Sequence, residues 1–373
     1  MTKEIPMGWE NYKLQDLSLN KGEYGMNCSA CEYSEGLKKY IRITDIDERG
    51  NYIDNGAFVD DVDVDKFVLK QNDIVFARTG ASVGKSYLYD EKDGELAYAG
   101  FLIKFSIDKT KCNPKILKYI FYSSDYYRWV KIMSARSGQP GINAEEYGSY
   151  KVCIPQNRKE QDKIVEVLDA WAKAVDLQEQ KVEKLKEKKK ALIQKLLTPK
   201  ADWVKVSLNK LVEAKPSNLL IKNIKDKEGN YPVYGAEGVS LMVDFYKHDC
   251  DSIGIITYGS GCGKVCYITG KHSVLGTLTE LHACSDINLK YVYYALSNFD
   301  FTKYKEISTT PNIYFDDFGK EILSIPSYDE QNKIVAVLNN IDYQIDKNIV
   351  YSEKLKMQQK ALMQKLLTGE IRV

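Results

Sequence analysis

KALIQKLLT at Lys190–Thr198 and KALMQKLLT at Lys360–Thr368 differ at a single position. They lie 170 residues apart, and the same offset holds backwards as far as Glu160–Gln161 and Glu330–Gln331. Just ahead of those pairs stand IPQNRK (Ile154–Lys159) and IPSYD (Ile325–Asp329), the second one residue shorter. Unrelated segments do not match in this way. The chain is an internal repeat, and a repeat fixes the architecture before any local reading.

Each copy carries a heptad seam. In the first, Ile164, Leu168, Trp171, Val175, Gln178, Val182, Leu185, Lys189, Leu192 and Leu196 alternate spacings of four and three. In the second, Ile334, Leu338, Ile341, Ile345, Asn348, Ser352, Leu355, Gln359, Leu362 and Leu366 fall at the same positions. A 3.5-residue period is the pattern of helices that pack along a shared stripe. From first to last seam residue each helix spans about 50 Å at ~1.5 Å per residue. Two like helices in one chain most simply pack on each other. Polar seam positions such as Gln178, Lys189, Asn348, Ser352 and Gln359 then help to fix register, at some cost in stability.

The repeat continues, more weakly, outside the helices. Trp9, Leu14 and Leu17 correspond to Trp203, Leu208 and Leu211 at offset 194. IVFARTGASVGK (Ile74–Lys85) resembles IGIITYGSGCGK (Ile253–Lys264) at offset 179, and SGQPGINAEEYGSYKVCIP (Ser137–Pro155) resembles STTPNIYFDDFGKEILSIP (Ser308–Pro326) at offset 171. The expected organisation is a first globular domain over 1–153, a spacer helix over 154–199, a second globular domain over 200–324 and a second spacer helix over 325–373. Short β-rich runs bounded by Gly, Asn and Asp dominate the domains: Lys39–Ile46, Asp73–Arg78, Tyr98–Ile107, Ser252–Tyr258 and Lys264–Thr269. Helical pieces are expected at Lys115–Ser123 and Leu289–Leu296. The fold class is therefore α/β: two similar domains with mixed or largely antiparallel sheets, joined by two long antiparallel coiled-coil helices in a pseudo-two-fold arrangement.

Composition narrows the function classes. Hydrophobic residues are 44% and charged residues 28%, which excludes a disordered chain. No apolar run reaches the ~18 residues of a membrane helix, and the first residues lack the apolar core of a signal peptide, so a cytoplasmic location is expected. Eight cysteines read as reduced thiols, not a disulfide frame. Cys28 and Cys31 form one C-x-x-C with no second pair, and the three histidines all follow residue 247, so no metal site is expected. The net charge is +1, and the four segments carry −2, +3, −1 and +1. No segment is a basic block of the kind that binds nucleic acid indiscriminately.

TGASVGKS (Thr79–Ser86) falls short of a phosphate-binding P-loop. That motif needs four residues between its glycines, and Gly80 to Gly84 encloses three. The copy at Gly259–Lys264 has the same short spacing and lacks the following Ser or Thr. A glycine-rich turn between strands is expected instead, either a plain hairpin loop or one suited to contact a DNA phosphate through its N–H groups and one Lys. No Asn-Pro-Pro or Asp-Pro-Pro motif and no Pro-Asp dipeptide occurs, so neither a methyltransferase nor the usual nuclease motif is present. His248, His272 and His282 have no counterparts in the first domain and read as surface or hydrogen-bonding histidines. No catalytic residue is expected. The 27 tyrosines suit DNA edges and protein interfaces as well as cores.

Taken together, the DIVFARTGASVGK run, the IP-plus-EQ start of each helix and the KALIQKLLT and KALMQKLLT ends resemble the specificity subunit of Type I restriction–modification systems, the HsdS family. The resemblance covers essentially the whole chain. It implies two target-recognition domains, each reading one half of a bipartite, asymmetric DNA site, with the helices as spacer. It also implies docking of two methyltransferase subunits, and of motor-nuclease subunits for restriction. The chain itself would be non-catalytic and hold no cofactor; S-adenosylmethionine, ATP and Mg would sit on those partners, and the modification would be adenine N6 methylation. For half-sites one turn of DNA apart the centres lie ~34–36 Å apart, within reach of helices of this length.

Base-reading residues follow from side-chain chemistry, since Arg forks onto guanine and Asn or Gln onto adenine. The candidates in the first domain are Arg78, Thr79, Lys85, Arg136, Ser137, Gln139 and Asn143. In the second they are Tyr258, Ser260, Lys264, Thr309, Thr310 and Asn312. Two other readings of the chain stand beside this one: the recognition subunit of a Type IIB-like enzyme, and a coiled-coil scaffold whose globular ends bind protein.

Overall fold

The computed structural model describes residues 5–135, 139–284, 286–305 and 311–373. The chain divides into two compact units, Met1–Gln178 with Tyr351–Val373, and Glu179–Val350. Each unit thus combines one globular domain with the first half of one long helix and the second half of the other.

In the first unit the strands are β1 (Trp9–Lys13), β2 (Glu23–Tyr24), β3 (Lys38–Ile41), β4 (Phe58–Val59), β5 (Asp73–Ala77), β6 (Ser86–Leu88), β7 (Leu96–Tyr98) and β8 (Leu102–Ser106). Three short helices follow, α1 (Pro114–Ile120), α2 (Ser124–Met133) and α3 (Ala144–Gly148), then β9 (Lys151–Pro155) and the long helix α4 (Arg158–Leu196). β2-β8-β5-β6 form one antiparallel sheet, and β4-β3-β7 a second, in which β3 and β7 run parallel. β1 pairs antiparallel with β9, which ties the start of the domain to its end. Every residue of β5 is buried, as expected of a central strand covered on both faces. Each short helix starts at a polar cap: Asn113 with Pro114 at the first turn, Ser123, and Asn143 with Glu146 as a reciprocal capping box.

The second unit repeats this plan. It runs β10 (Val204–Ser207), α5 (Leu208–Leu211), β11 (Val212–Pro216), β12 (Tyr231–Gly235), β13 (Gly238–Val243), β14 (His248–Asp249), β15 (Ser252–Ile256), β16 (Val265–Ile268), β17 (Lys271–Val274) and β18 (Leu278–Ala283). Then come α6 (Leu289–Ser297), α7 (Phe315–Phe318), β19 (Ile322–Ile325) and the long helix α8 (Tyr328–Leu367). The sheet β11-β18-β15-β16 matches β2-β8-β5-β6, and β13-β12-β17-β14 matches β4-β3-β7 with one strand, β14, added at its edge. β12 and β17 are parallel, as are β3 and β7.

The heptad seam lies inside these units. In the first, Ile164, Val165 and Leu168 from the start of α4 share a core with Met363 and Leu366 from the end of α8. In the second, Ile193 near the end of α4 shares a core with Ile334, Leu338, Ile341 and Ile345 from the start of α8. The start of one helix meets the end of the other each time, so the pairing is antiparallel. Lys189 stands in the seam because its Nζ lies 2.5 Å from Asp342.

One expected strand divides. Tyr98–Ile107 was expected to run through, but it forms β7 and β8 with a turn at Ala99–Phe101. There the Gly100 N–H donates to the Met26 carbonyl at 2.6 Å, and a Cβ on Gly100 would sit 3.2 Å from that oxygen. Alternation of apolar residues does not register such a change of partner.

Candidate nucleic-acid interface

The glycine-rich segments are turns between antiparallel strands, β5–β6 and β15–β16. A P-loop opens a helix, so the strand that follows each turn separates it from that motif. Gly80 and Gly84 have φ of +71° and +89°, and Gly259 and Gly263 have +95° and +87°. A Cβ on Gly84 would lie 2.6 Å from Val130, and one on Gly263 2.7 Å from Phe301. Both the left-handed backbone and the close approach therefore require glycine.

Each turn is closed by the segment that follows it across the domain. The Gly80 N–H donates to the Pro140 carbonyl and the Ile142 N–H to the Arg78 carbonyl. In the second domain the Gly259 N–H donates to the Pro311 carbonyl and the Ile313 N–H to the Thr257 carbonyl. Isolated bridges Thr79–Gly141 and Tyr258–Asn312 complete the match. Tyrosines hold the first turn from below. The Tyr147 hydroxyl donates to the Ala77 carbonyl at 2.8 Å and accepts from the Gly84 N–H, and the Tyr126 hydroxyl donates to the Gly84 carbonyl. Burial pushes the Tyr126 phenol well up, so it stays a neutral donor. These tyrosines, like many others here, are spent on the core.

The structure brings most described candidates to these two rims. Arg78 is partly exposed, and its guanidinium sits 4.7 Å from the centroid of the half-exposed Tyr24 ring. Thr79 is partly exposed and Gln139 exposed beside it. Tyr258, Ser260 and Lys264 are exposed on the second turn, and the Asn312 side-chain N–H donates to the Tyr314 hydroxyl. Two residues have other engagements. Lys85 Nζ donates to the Ile46 carbonyl at 3.1 Å and pairs with Glu48 at 2.7 Å, so its charge is already matched. Asn143 accepts from the Glu146 N–H as the cap of α3. Arg136, Ser137, Thr309 and Thr310 lie outside the described residues.

Exposed aromatic residues beside the turns, Tyr24, Phe101 and Tyr314, were not singled out from the sequence. Phe101 is placed by its carbonyl, which accepts from the Arg78 N–H. Tyr258 and Tyr314 also line a cleft of about 620 Å³ with Thr257, Glu213 and Asp316. Its carboxylates suit base N–H donors better than phosphates.

The EQ pairs have a structural use that sequence reasoning missed. Gln161 is buried, donates to the Pro155 carbonyl at 2.7 Å and accepts from the Asn113 N–H at 2.8 Å. Gln331 does the same with the Pro326 carbonyl at 3.0 Å and the Asn288 N–H at 2.9 Å. Each glutamine thus clamps the last strand of its domain to the start of α1 or α6. The neighbouring glutamates are held by cations: Glu160 by a bidentate Arg372, Glu330 by Lys200.

The three histidines are not scattered on the surface. They gather around Glu280, and His248, Glu280 and His282 are the group of metal-capable side chains found among the described residues. Cys28 and Cys31 belong to no such group among the described residues.

Residues 6–187 and 200–352 match the family model described as the Type I restriction modification DNA specificity domain, and the chain belongs to that family. Over 201 residues it is 25% identical to the putative type I restriction enzyme MjaX specificity subunit of Methanocaldococcus jannaschii, covering 52% of this chain and 47% of that protein. Over 118 residues it is 24% identical to the type I restriction enzyme EcoprrI specificity subunit of Escherichia coli, covering 32% of this chain and 29% of that protein. The chain thus spans about half the length, or less, of these curated relatives. Among solved structures, the S subunit of a Type-I restriction-modification system from M. genitalium superposes with a TM-score of 0.65 at 17% identity, over 98% of this chain and 97% of that one. A further chain of a type I restriction–modification system gives 0.59 at 14% identity, over 99% and 100%. The fold is therefore that of these subunits. Among the described residues no helix is long and apolar enough to cross a membrane.

Proposed function

We propose that the chain is the DNA sequence-specificity subunit of a Type I restriction–modification system, without chemistry of its own. Each domain reads one half of a bipartite, asymmetric site through the rim of its glycine turn. The carrying observation is the pair of turns: the same main-chain hydrogen bonds frame both, while the side chains they present differ, Thr79 in one and the exposed Tyr258 in the other. One frame with two sets of side chains suits two half-sites of different sequence.

In this reading the paired helices set the spacer and dock two methyltransferase subunits, and motor-nuclease subunits where restriction occurs. S-adenosylmethionine, ATP and Mg belong to those partners. The near-neutral charge of +1 fits a subunit whose phosphate contacts come largely from the assembly.

The test is to map methylated adenines genome-wide in cells carrying this subunit with its partner methyltransferase. A split motif is expected. Exchange of residues 1–153 for those of a relative should change one half only. Changes in both halves, or no split motif, would defeat the modular reading and favour a protein-binding scaffold. A Type IIB-like assembly would show itself by cleavage on both sides of the same motif by a fused partner.

A further inference from the structure

The second domain holds a buried polar cluster that DNA reading does not use. Glu280 and His282 lie two apart on β18 and so share a face. His248 on β14 stands directly across the ladder from His272 on β17. The cluster therefore joins the two four-stranded sheets of this domain.

Its carboxylate is held from several sides. His272, fully buried, donates from Nδ1 to the Gly270 carbonyl at 2.7 Å and from Nε2 to Glu280 Oε1 at 2.6 Å. The Ser252 hydroxyl donates to the same oxygen at 2.9 Å. His248 Nε2 is 3.1 Å from Oε2. His282 is the exception. It is only 8% exposed, and its Nδ1 lies 3.5 Å from Cys250 Sγ. Its Nε2 is buried without a hydrogen-bond partner, 3.7 Å from Glu280 Oε1. A buried ring nitrogen left unpartnered beside a carboxylate is costly, and a cation held between the two would satisfy both.

We propose that His248, Glu280 and His282 bind a divalent transition-metal ion, of the Zn²⁺ class, that ties β14 to β18 in the second recognition domain. The three donor atoms lie within 4.8 Å of one another. Two imidazoles and one carboxylate suit Zn²⁺, whose bonds of ~2.0–2.2 Å put tetrahedral ligands ~3.4 Å apart. His248 Nε2 lies 3.1 Å from Glu280 Oε2 and His282 Nε2 3.7 Å from Oε1, so the two imidazoles approach the two oxygens of one carboxylate. His272 and Ser252 orient the carboxylate, and Cys250 fixes the His282 ring, as outer-layer partners of metal ligands do.

The first domain supplies an internal contrast. By strand register Asp73, Lys104 and Ser106 stand where Ser252, Glu280 and His282 stand. Lys104 pairs with Glu23 at 2.9 Å, so a cation occupies the place of the carboxylate, and β14 has no counterpart. The site belongs to one domain alone.

The test uses the full chain, purified without a polyhistidine tag, stripped with a chelator and titrated with Co²⁺ alone. One equivalent is expected to bind, with visible absorption bands of a low-symmetry four- or five-coordinate ion, and Zn²⁺ should displace it. His248→Ala, on a partly exposed edge strand, and His282→Ala should each lower affinity at least tenfold, while Lys104→Ala leaves it unchanged. Circular dichroism of each variant shows whether it is folded; His248→Ala keeps the test alive if His282→Ala is not. Cys250→Ser should retain one equivalent, with no thiolate charge-transfer band in the wild type. Absence of stoichiometric binding, or binding indifferent to both histidines, overturns the proposal. A thiolate band lost in Cys250→Ser overturns the ligand set.

Discussion

Replacing Gln161 by Leu keeps most of the side-chain volume and removes both hydrogen bonds of the clamp. The Pro155 carbonyl and the Asn113 N–H then lose partners at a site where Gln161 is only 2% exposed. A buried group left unsatisfied costs about 1–3 kcal/mol, so with partial relief from the added apolar surface the loss is about 3 kcal/mol. For a unit of about 200 residues that is roughly 6–12 °C in Tm. Hydrogen exchange followed by mass spectrometry localises the effect: peptides covering β9 and α1 should lose protection, and those covering β19 and α6 should keep it. Gln331→Leu should give the mirror image. Gln194→Leu, an exposed position on the same helix as Gln161, should change stability by no more than about 0.5 kcal/mol. A Gln161→Leu loss below about 1 kcal/mol, or equal deprotection of both domains, would refute the clamp.

Gly84→Ala combines a φ of +89° with a Cβ 2.6 Å from Val130 and should cost about 2–4 kcal/mol by urea unfolding, whereas Ala at the open, positive-φ Gly94 should cost about 1. Arg78→Ala should leave the fold intact and degrade sequence preference in one half-site, measured by selection from a random DNA library with the methyltransferase partner present. Arg372→Ala removes the bidentate partner of Glu160 and should raise exchange around Trp9 without touching Trp203. DNA binding by the chain alone should be weak at physiological salt and tighten sharply when the partner is added, as measured by fluorescence anisotropy across a salt series.

The long helices were legible because a heptad pattern recurs at a fixed offset, and the packed seam is made of those residues: Ile164, Leu168, Val175 and Val182 in α4, Ile334, Leu338 and Leu366 in α8 are all buried. The glycine turns were legible for a like reason, since positive φ leaves a mark in residue type. What was not legible depends on contacts between distant parts of the chain. The break at Gly100 is set by Met26, some seventy residues earlier. Lys85 looks like a free cation in sequence, yet Glu48 and the Ile46 carbonyl hold it. The histidines lacked counterparts in the first domain and so read as surface or hydrogen-bonding residues; His272 is hydrogen-bonded, but that strand register collects all three around one carboxylate was not legible. Periodicity reports which face a residue is on, not which residue stands opposite.

The two turns show how a duplicated domain can keep one frame while its exposed side chains diverge. Their frame is made from main-chain groups: Gly80 to Pro140 and Ile142 to Arg78 in one, Gly259 to Pro311 and Ile313 to Thr257 in the other. Thr79 and Tyr258 occupy the same place in that frame, and each is bridged to the facing segment through its main chain whatever its side chain. Exchanging the side chain at such a position leaves the hydrogen bonds that hold the turn untouched, so selection for a new half-site meets little opposition from stability. The glutamine clamps behave oppositely. There the side chain itself is the fastener, buried and bonded at both ends, and an apolar side chain of that size offers neither donor nor acceptor. Exposed rim residues such as Tyr258 can thus change at little cost, while the buried glutamines at the helix starts cannot, which is the division that the proposed modular reading needs.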